Sequence, residues 1–328
     1  MRKTIVVALG GNAITQASEK GTVEEQFANV YKTCEQLVKL LAAGYRLVIT
    51  HGNGPQAGAL LIQQESAVSE IPAQPLDVVT GMTQGQVGYM FMQAMNNLLY
   101  EARMQIPVVS IINQVLVSED DPDYQDPSKP VGPFYTKAEA ETLMKEKSDW
   151  IMKQVKPDSV ERNWRRVVAS PEPLQNVEYI AVRKMVDSGI VVVASGGGGV
   201  SVIYDKETGR LKGTAAVIDK DLAGEKLAEV VGADIFLILT DVKNAKINFG
   251  KENEAPVEIV SLTKIKELHD EGHFLAGSMG PKVMAAMKFV KYGGDRSIIT
   301  SLDNAFNAVS NKSGTQILPD RFLQLIKN

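Results

Sequence analysis

The chain is poor in cysteine, in histidine and in net charge, and each shortage removes a class of function. Its 328 residues include one cysteine, Cys34, and three histidines. A lone cysteine builds no disulfide framework within the chain, which excludes a small cross-linked secreted scaffold. Cys34 falls inside a helical pattern and reads as a buried structural thiol. His269 and His273 stand four apart, a spacing two metal ligands use, but Asp270-Glu271-Gly272 between them makes no zinc-protease motif and Gly272 marks a helix end. No metal site built from side chains is expected. Lys and Arg total 35 against 39 Asp and Glu, a formal net charge of −4, which calls for neither nucleic acid nor an anionic membrane. No apolar run approaches the roughly 20 residues of a membrane span. The first residues lack the basic and apolar regions of a secretory leader, so a cytoplasmic protein is expected. There is no G-x-x-x-x-G-K-[ST], which excludes a P-loop enzyme, and no G-x-G-x-x-G after a strand, which counts against a dinucleotide dehydrogenase.

What is present is an ordinary globular composition, 44% hydrophobic and 23% charged, organised around the opening stretch Thr4 to Ala13. Thr4–Leu9 reads as a strand buried on both faces. It stops at Gly10-Gly11-Asn12, where glycines at positive φ would let amides converge on an oxyanion. The theme repeats: strand Arg46–Thr50 runs into His51-Gly52-Asn53-Gly54-Pro55, with Pro55 opening a helix. Helical spacing covers Glu24–Ala42 and Gly85–Ala102, with Met82, Met90, Met92 and Met95 read as packing. Pro107–Val117 is a third buried strand. From 118 to 175 the composition turns to Asp, Pro and Lys around a charged helix Lys137–Lys153, an excursion read as a flap or small subdomain.

The pattern resumes at Gly189–Ala194 and reaches Ser195 and four glycines, Gly196 to Gly199, before strand Val200–Tyr204. Close approach of backbone to a ligand is the reading of that run. Asp219-Lys220-Asp221 opens a helix to Val231, and Ile235–Leu239 is a strand closing on Thr240-Asp241. Leu262–Glu271 is a helix. Gly277-Ser278-Met279-Gly280-Pro281-Lys282 opens another, through Lys291, with amides and a lysine placed for phosphate. Strand Ser297–Thr300, a short helix from Leu302 and Thr315–Leu318 finish the chain. Alternating strands and helices predict an α/β fold with a mainly parallel sheet between helical layers. Lys129, Lys220 and Lys282 stand in special contexts, and several cations meeting backbone amides suit phosphoryl transfer.

At these residues the chain resembles the carbamate kinases of the amino-acid kinase family, from end to end. The matching stretches are ALGGNA (8–13), THGNGPQ (50–56), QPLDVVTGMTQGQVGY (74–89), DPSKPVGPFY (126–135), RRVVASPEP (165–173), GGGG (196–199), AVIDKDLA (216–223), LTDV (239–242) and GSMGPKV (277–283). The resemblance implies a three-layer αβα sandwich forming one domain over 1–328. Residues 1–230 would hold carbamate or carbamoyl phosphate and carry the protruding subdomain at about 118–175, and 231–328 would hold the nucleotide. It implies Mg²⁺-dependent transfer between carbamoyl phosphate and ADP, giving ATP and carbamate, in a homodimer. Lys129, Lys220 and Lys282 would bear on the phosphoryl group, with Asp221 orienting them. Gly10, Gly11, Asn12, Gly52, Asn53 and Gly54 would bind substrate. Gly196, Gly197, Gly198, Thr240, Asp241, Met279, Gly280 and Lys282 would bind nucleotide, and Mg²⁺ would ride on its phosphates.

The sequence departs from that family's pattern in places. Ala215 stands where Glu is usual. Lys243, Ala245 and Lys246 replace an acid and a Val-Tyr pair ahead of Asn248-Phe249-Gly250. Ser201 and Ala169 replace prolines. These departures leave open a related phosphotransferase acting on another small acyl phosphate, or a regulatory protein that binds carbamoyl phosphate without turnover.

Overall fold

A computed structural model describes residues 2–16, 18–275 and 278–321. Eight strands make the central sheet, in the order Ile259–Ser261, Thr315–Leu318, Arg296–Ser301, Ile235–Thr240, Thr4–Leu9, Arg46–His51, Val191–Val193 and Val108–Ser110. Every neighbouring pair is parallel except Arg296–Ser301 with Thr315–Leu318. The opening strand lies inside the sheet, between Arg46–His51 and Ile235–Thr240. All six of its side chains are buried, which explains why it lacks the polar alternation of a half-exposed strand.

Alternate residues feed two apolar layers. Ile5, Val7 and Leu9 face one side, with Val30, Leu37, Phe91 and Met95 from the helices Val23–Ala42 and Leu76–Glu101. Val6 and Ala8 face the other, with Leu227, Val283 and Phe289 from the helices Lys220–Val231 and Met279–Tyr292. The result is the expected three-layer αβα sandwich. Thr22 and Glu25 form a reciprocal cap that starts the first long helix, and Gly44 at φ +90° follows its end. Cys34 is buried, and burial pushes its thiol up. Among the described residues no helix is long and apolar enough to cross a membrane.

Residues between the central strands build two further sheets. Leu211–Gly213, Val200–Tyr204, Gln114–Leu116 and Gln175–Asn176 form a four-stranded sheet beside the main one. Lys129–Tyr135, Trp164–Val168 and Ile151–Gln154 form a three-stranded flap, capped by the helix Lys137–Glu146. The flap rests on the body through Leu61, Leu76, Val79, Val131 and Val168.

Several boundaries differ from the sequence reading. The Pro107–Val117 stretch divides between two sheets, because Asn113 between the halves is fully buried and its amide N–H donates to Gln84 Oε1 at 2.9 Å. The third helix begins at Leu76, nine residues ahead of Gly85, since Pro75 starts it and packing overrides Gly81 and the β-branched run Val78-Val79-Thr80. The charged helix ends at Glu146, and the last residues assigned to it form a flap strand. Trp164–Val168, which the sequence reading placed in the excursion without assigning it a strand, is the flap's central strand.

Candidate active site

Neighbouring strands of the central sheet end together at Leu9, His51, Thr240 and Ser301, so their following turns share one edge. At that carboxyl edge lies an open cavity of about 840 Å³. Gly10, Gly11, Asn12, Lys220, Thr240, Asp241 and Lys282 line it, seven residues that the sequence singled out. Lys32, Ser301 and Asp303 line it as well, and the sequence reading missed them. Ser301 closes a strand at the same edge and Asp303 follows it, which is the signal that locates them.

The glycines act differently from expectation. Gly10 has φ −63°, and neither Gly11 nor Gly52 is at positive φ. The Gly10 amide donates to Leu239 O and the Gly52 amide to Leu9 O, both at 3.1 Å, so these two N–H groups continue the sheet. A Cβ on Gly52 would sit 3.2 Å from Lys220 Cδ, so the missing side chain is the path along which Lys220 reaches the edge. In the short helix Gly11–Ala13 the Ala13 amide donates to Gly10 O at 3.1 Å, which closes the turn. Gly54 begins the helix Gly54–Ser66, while the Asn53 side chain turns inward to donate to Thr83 Oγ1 at 2.8 Å.

Two helix starts converge on the cavity. Lys220 and Asp221 are the first residues of Lys220–Val231, and Lys282 is in the first turn of Met279–Tyr292. Asp221 Oδ2 accepts from Lys282 Nζ at 3.0 Å and from Lys220 Nζ at 3.5 Å. The Asp221 side chain is only 3% exposed. A buried carboxylate between two ammonium groups fixes their heads while leaving their remaining donors free.

Lys129, at the start of the flap's first strand, reaches across to Asp219, with Nζ 3.6 Å from Oδ2. Asp219 Oδ1 accepts from the amides of Asp221 and Leu222 at 2.9 and 3.4 Å, capping the helix. Burial opposes its charge, but Lys129, Lys220 and those amides outweigh it and hold the carboxyl below its ordinary range. Asp219 is a further missed residue; the sequence shows it only as an aspartate ahead of Lys220.

The four-glycine run lies elsewhere. Gly196, Gly197 and Gly198 are buried, and Cβ atoms there would fall 2.4 Å from His51 Nε2, 2.1 Å from Asn53 Nδ2 and 2.4 Å from Ile218 O. The backbone's close approach is thus to the protein's own groups. Ser195 before them holds φ +53°, clamped by Asn113 Oδ1 on its amide at 2.6 Å and by Asn176 Nδ2 on its hydroxyl at 3.1 Å. Burial depresses His51 to about 4, and its Nδ1–H donates to Gly52 O at 2.9 Å.

A smaller cavity of about 70 Å³ adjoins the large one through Ser278 and is lined by Asn244, Lys246, Phe249, His273 and Met279. Lys246 also pairs with Glu254 at 2.5 Å, while Ala245 is fully buried. A Cβ on Gly280 would meet Leu275 O at 3.0 Å, so that glycine serves a tight helix entry. Gly277 lies outside the described residues. No group of three or more His, Cys, Asp or Glu among the described residues is arranged to hold a metal ion.

Comparisons with known proteins agree with this geometry. The model of the Amino acid kinase family matches residues 3–301. Carbamate kinase of Pyrococcus furiosus is 51% identical over 97% of this chain and 100% of its own. That of Thermococcus kodakarensis is 52% identical over 96% and 99%. The structure of Giardia lamblia carbamate kinase bound to AMP-PNP superposes with a TM-score of 0.92 at 43% identity, covering 97% of this chain and 99% of that one. On likeness at this level, the chain belongs to the amino acid kinase family and is a phosphotransferase similar to the carbamate kinases.

Proposed function

We propose that the protein transfers a phosphoryl group between carbamoyl phosphate and ADP, giving carbamate and ATP, with Mg²⁺ on the nucleotide phosphates. The observation that carries this reading is the pairing of Lys220 and Lys282 on one oxygen of Asp221, at a cavity open to solvent. The carbamate O–P bond breaks and a bond from a β-phosphate oxygen of ADP to the same phosphorus forms. Both oxygens are anionic when they attack, in either direction, so no general base is required. The chemical need is neutralisation of the three equatorial oxygens, which fixed cations meet without reorganising.

Lys220 and Lys282 stand on the body beside the transferring group, and Lys129 closes over it from the flap. The amides of Gly11 and Asn12, with the helix start at Gly54, receive the acyl phosphate. Thr240 and Asp241 flank the nucleotide phosphates. The small cavity takes the base against Phe249 and Met279, so Phe249 supplies the aromatic surface that Lys246 does not. The donor set suits Mg²⁺: Thr240, Asp241, Ser301 and Asp303 offer hard oxygens, too few for a protein cage, alongside phosphate and water. Bound there, the ion adds charge neutralisation between the phosphates.

A homodimer fits the exposed apolar faces of Val78, Met82 and Tyr89 along the helix Leu76–Glu101. The AMP-PNP complex of the Giardia enzyme supports adenine nucleotide as the second substrate. The decisive experiment is ATP formation from carbamoyl phosphate, ADP and Mg²⁺, with Lys220→Ala beside it. ATP that disappears in the variant upholds the proposal. No ATP, with acetyl phosphate turned over instead, moves it to another acyl phosphate.

A further inference from the structure

A second cavity, of about 400 Å³, lies between the flap and the body at the far end of the helix Gly54–Ser66. Eleven residues separate Gly54 from Glu65 on its wall, so about 16 Å of helix divides it from the phosphoryl site. Leu61, Leu76, Val131 and Trp150 give it apolar walls.

Its charged lining is Glu65, Asp77 and Asp149 against Lys147 and Arg166. Arg166, on the flap's central strand, stacks its guanidinium 4.5 Å from the Trp150 ring centroid. Asp149 and Glu65 act on it electrostatically, but among the described residues it makes no hydrogen bond or ion pair. Asp77, in the first turn of Leu76–Glu101, likewise has none, although the helix start favours its charge. Both are half-buried and both line the cavity, one from the flap and one from the body. Glu65 is already engaged by the Tyr135 hydroxyl. Each free group is also held in place. A Cβ on Gly213 would fall 1.8 Å from Asp77 Oδ2, so this glycine makes room for the carboxylate. Trp150 fixes the plane of Arg166. Ala215, one of the departures from the family pattern, opens on the same space with only a methyl group.

A half-buried guanidinium without an acceptor is costly, and so is a half-buried carboxylate without a donor. Here the two stand apart across a space large enough for a small molecule. We propose that this cavity binds a free amino acid as a zwitterion, its carboxylate on Arg166 and its ammonium on Asp77, bridging the flap to the body. Apolar walls receive the side chain. A ligand seated so ties the flap by two charged contacts, and it does this without touching the reacting groups.

The test is a binding measurement and needs no turnover, so its outcome is independent of the phosphoryl-transfer reading. The full chain is titrated with each of the twenty common amino acids at millimolar concentration, followed by ligand-observed NMR. At least one is expected to bind, with exchange of the amides across the flap strands slowed in its presence. Arg166→Gln and Asp77→Asn should each weaken binding at least tenfold, as loss of a charge-assisted contact does. Ala215→Glu places a competing carboxylate from an exposed position and should abolish binding without unfolding. The matching acid without its amine, and the amine without its acid, should each bind at least tenfold more weakly. The proposal is overturned if no amino acid binds, if Ala215→Glu binds as the parent does, or if the lone acid binds as tightly as the zwitterion.

Discussion

Lys282 Nζ lies 3.0 Å from Asp221 Oδ2, joining the first turns of two helices through side chains 13% and 3% exposed. A pair this buried contributes little net stability, because desolvation offsets the attraction, but it fixes where the charge stands. Lys282→Met should therefore lower kcat by about 10²–10³, the usual loss when one preorganised donor to a developing charge is removed. Asp221→Asn keeps the shape and lets both ammonium groups drift; a drift of about 1 Å costs about 10² in rate. Steady-state kinetics beside circular dichroism checks both. A folded Lys282→Met enzyme with parental kcat would remove this lysine from the chemistry.

The Lys129–Asp219 pair is another matter, since the lysine side chain is 40% exposed. Such a pair is worth at most about 1 kcal/mol. Lys129→Ala is expected to leave the melting temperature almost unchanged while kcat/KM falls by about 10². Equal losses of stability and rate would make Lys129 a strut of the flap instead.

Gly198 tests what the four-glycine run is for. It has φ +96°, and a Cβ would fall 2.4 Å from Ile218 O. Gly198→Ala should destabilise the fold by about 3 kcal/mol, from left-handed backbone strain and overpacking together. Urea unfolding measures this. A variant of parental stability that had lost only nucleotide affinity would restore the ligand-approach reading.

His51 predicts a pH dependence. Burial holds it neutral in the fold, with its pKa lowered from 6.5 to about 4. The unfolded chain takes up the proton first as pH falls, so this group's contribution is complete above pH 6.5 and is lost down to about pH 4. The loss is on the order of 3 kcal/mol, at 1.36 kcal/mol per unit. Stability curves of the parent and His51→Gln should converge across that window. Curves that run parallel would mean that His51 does not titrate there.

The fold was legible in the sequence wherever a strand is buried on both faces. Runs such as Ile5 to Leu9 and Ile235 to Leu239 have no polar face to mislead, and Gly10-Gly11-Asn12 and Thr240-Asp241 punctuate their ends. The flap was less so. Trp164–Val168 carries Arg165 and Arg166, and Ile151–Gln154 carries Lys153, so neither shows the alternation of a half-buried strand. Of the site, the lysines could be picked out because each sits beside a glycine, proline or aspartate. Asp219 could not, because its partner Lys129 is ninety positions away in the chain. The roles of the glycines were misread for a related reason. Which neighbour a missing side chain accommodates, Lys220 over Gly52 or His51 over Gly196, is a tertiary fact with no local signature.

The flap's return strand ends in a bridge between Ala169 and Ala216, and the Val217 amide donates to Ala169 O at 2.9 Å. Three residues later the chain reaches Lys220. A peptide that leaves the flap is thus stitched to the segment that carries Lys220 to the sheet edge, with no hinge-length spacer between them. Under the proposed function, a displaced flap would pull on that segment, which ties substrate capture to charge placement. A spectroscopic label on the flap would report the readiness of the phosphoryl site without touching it.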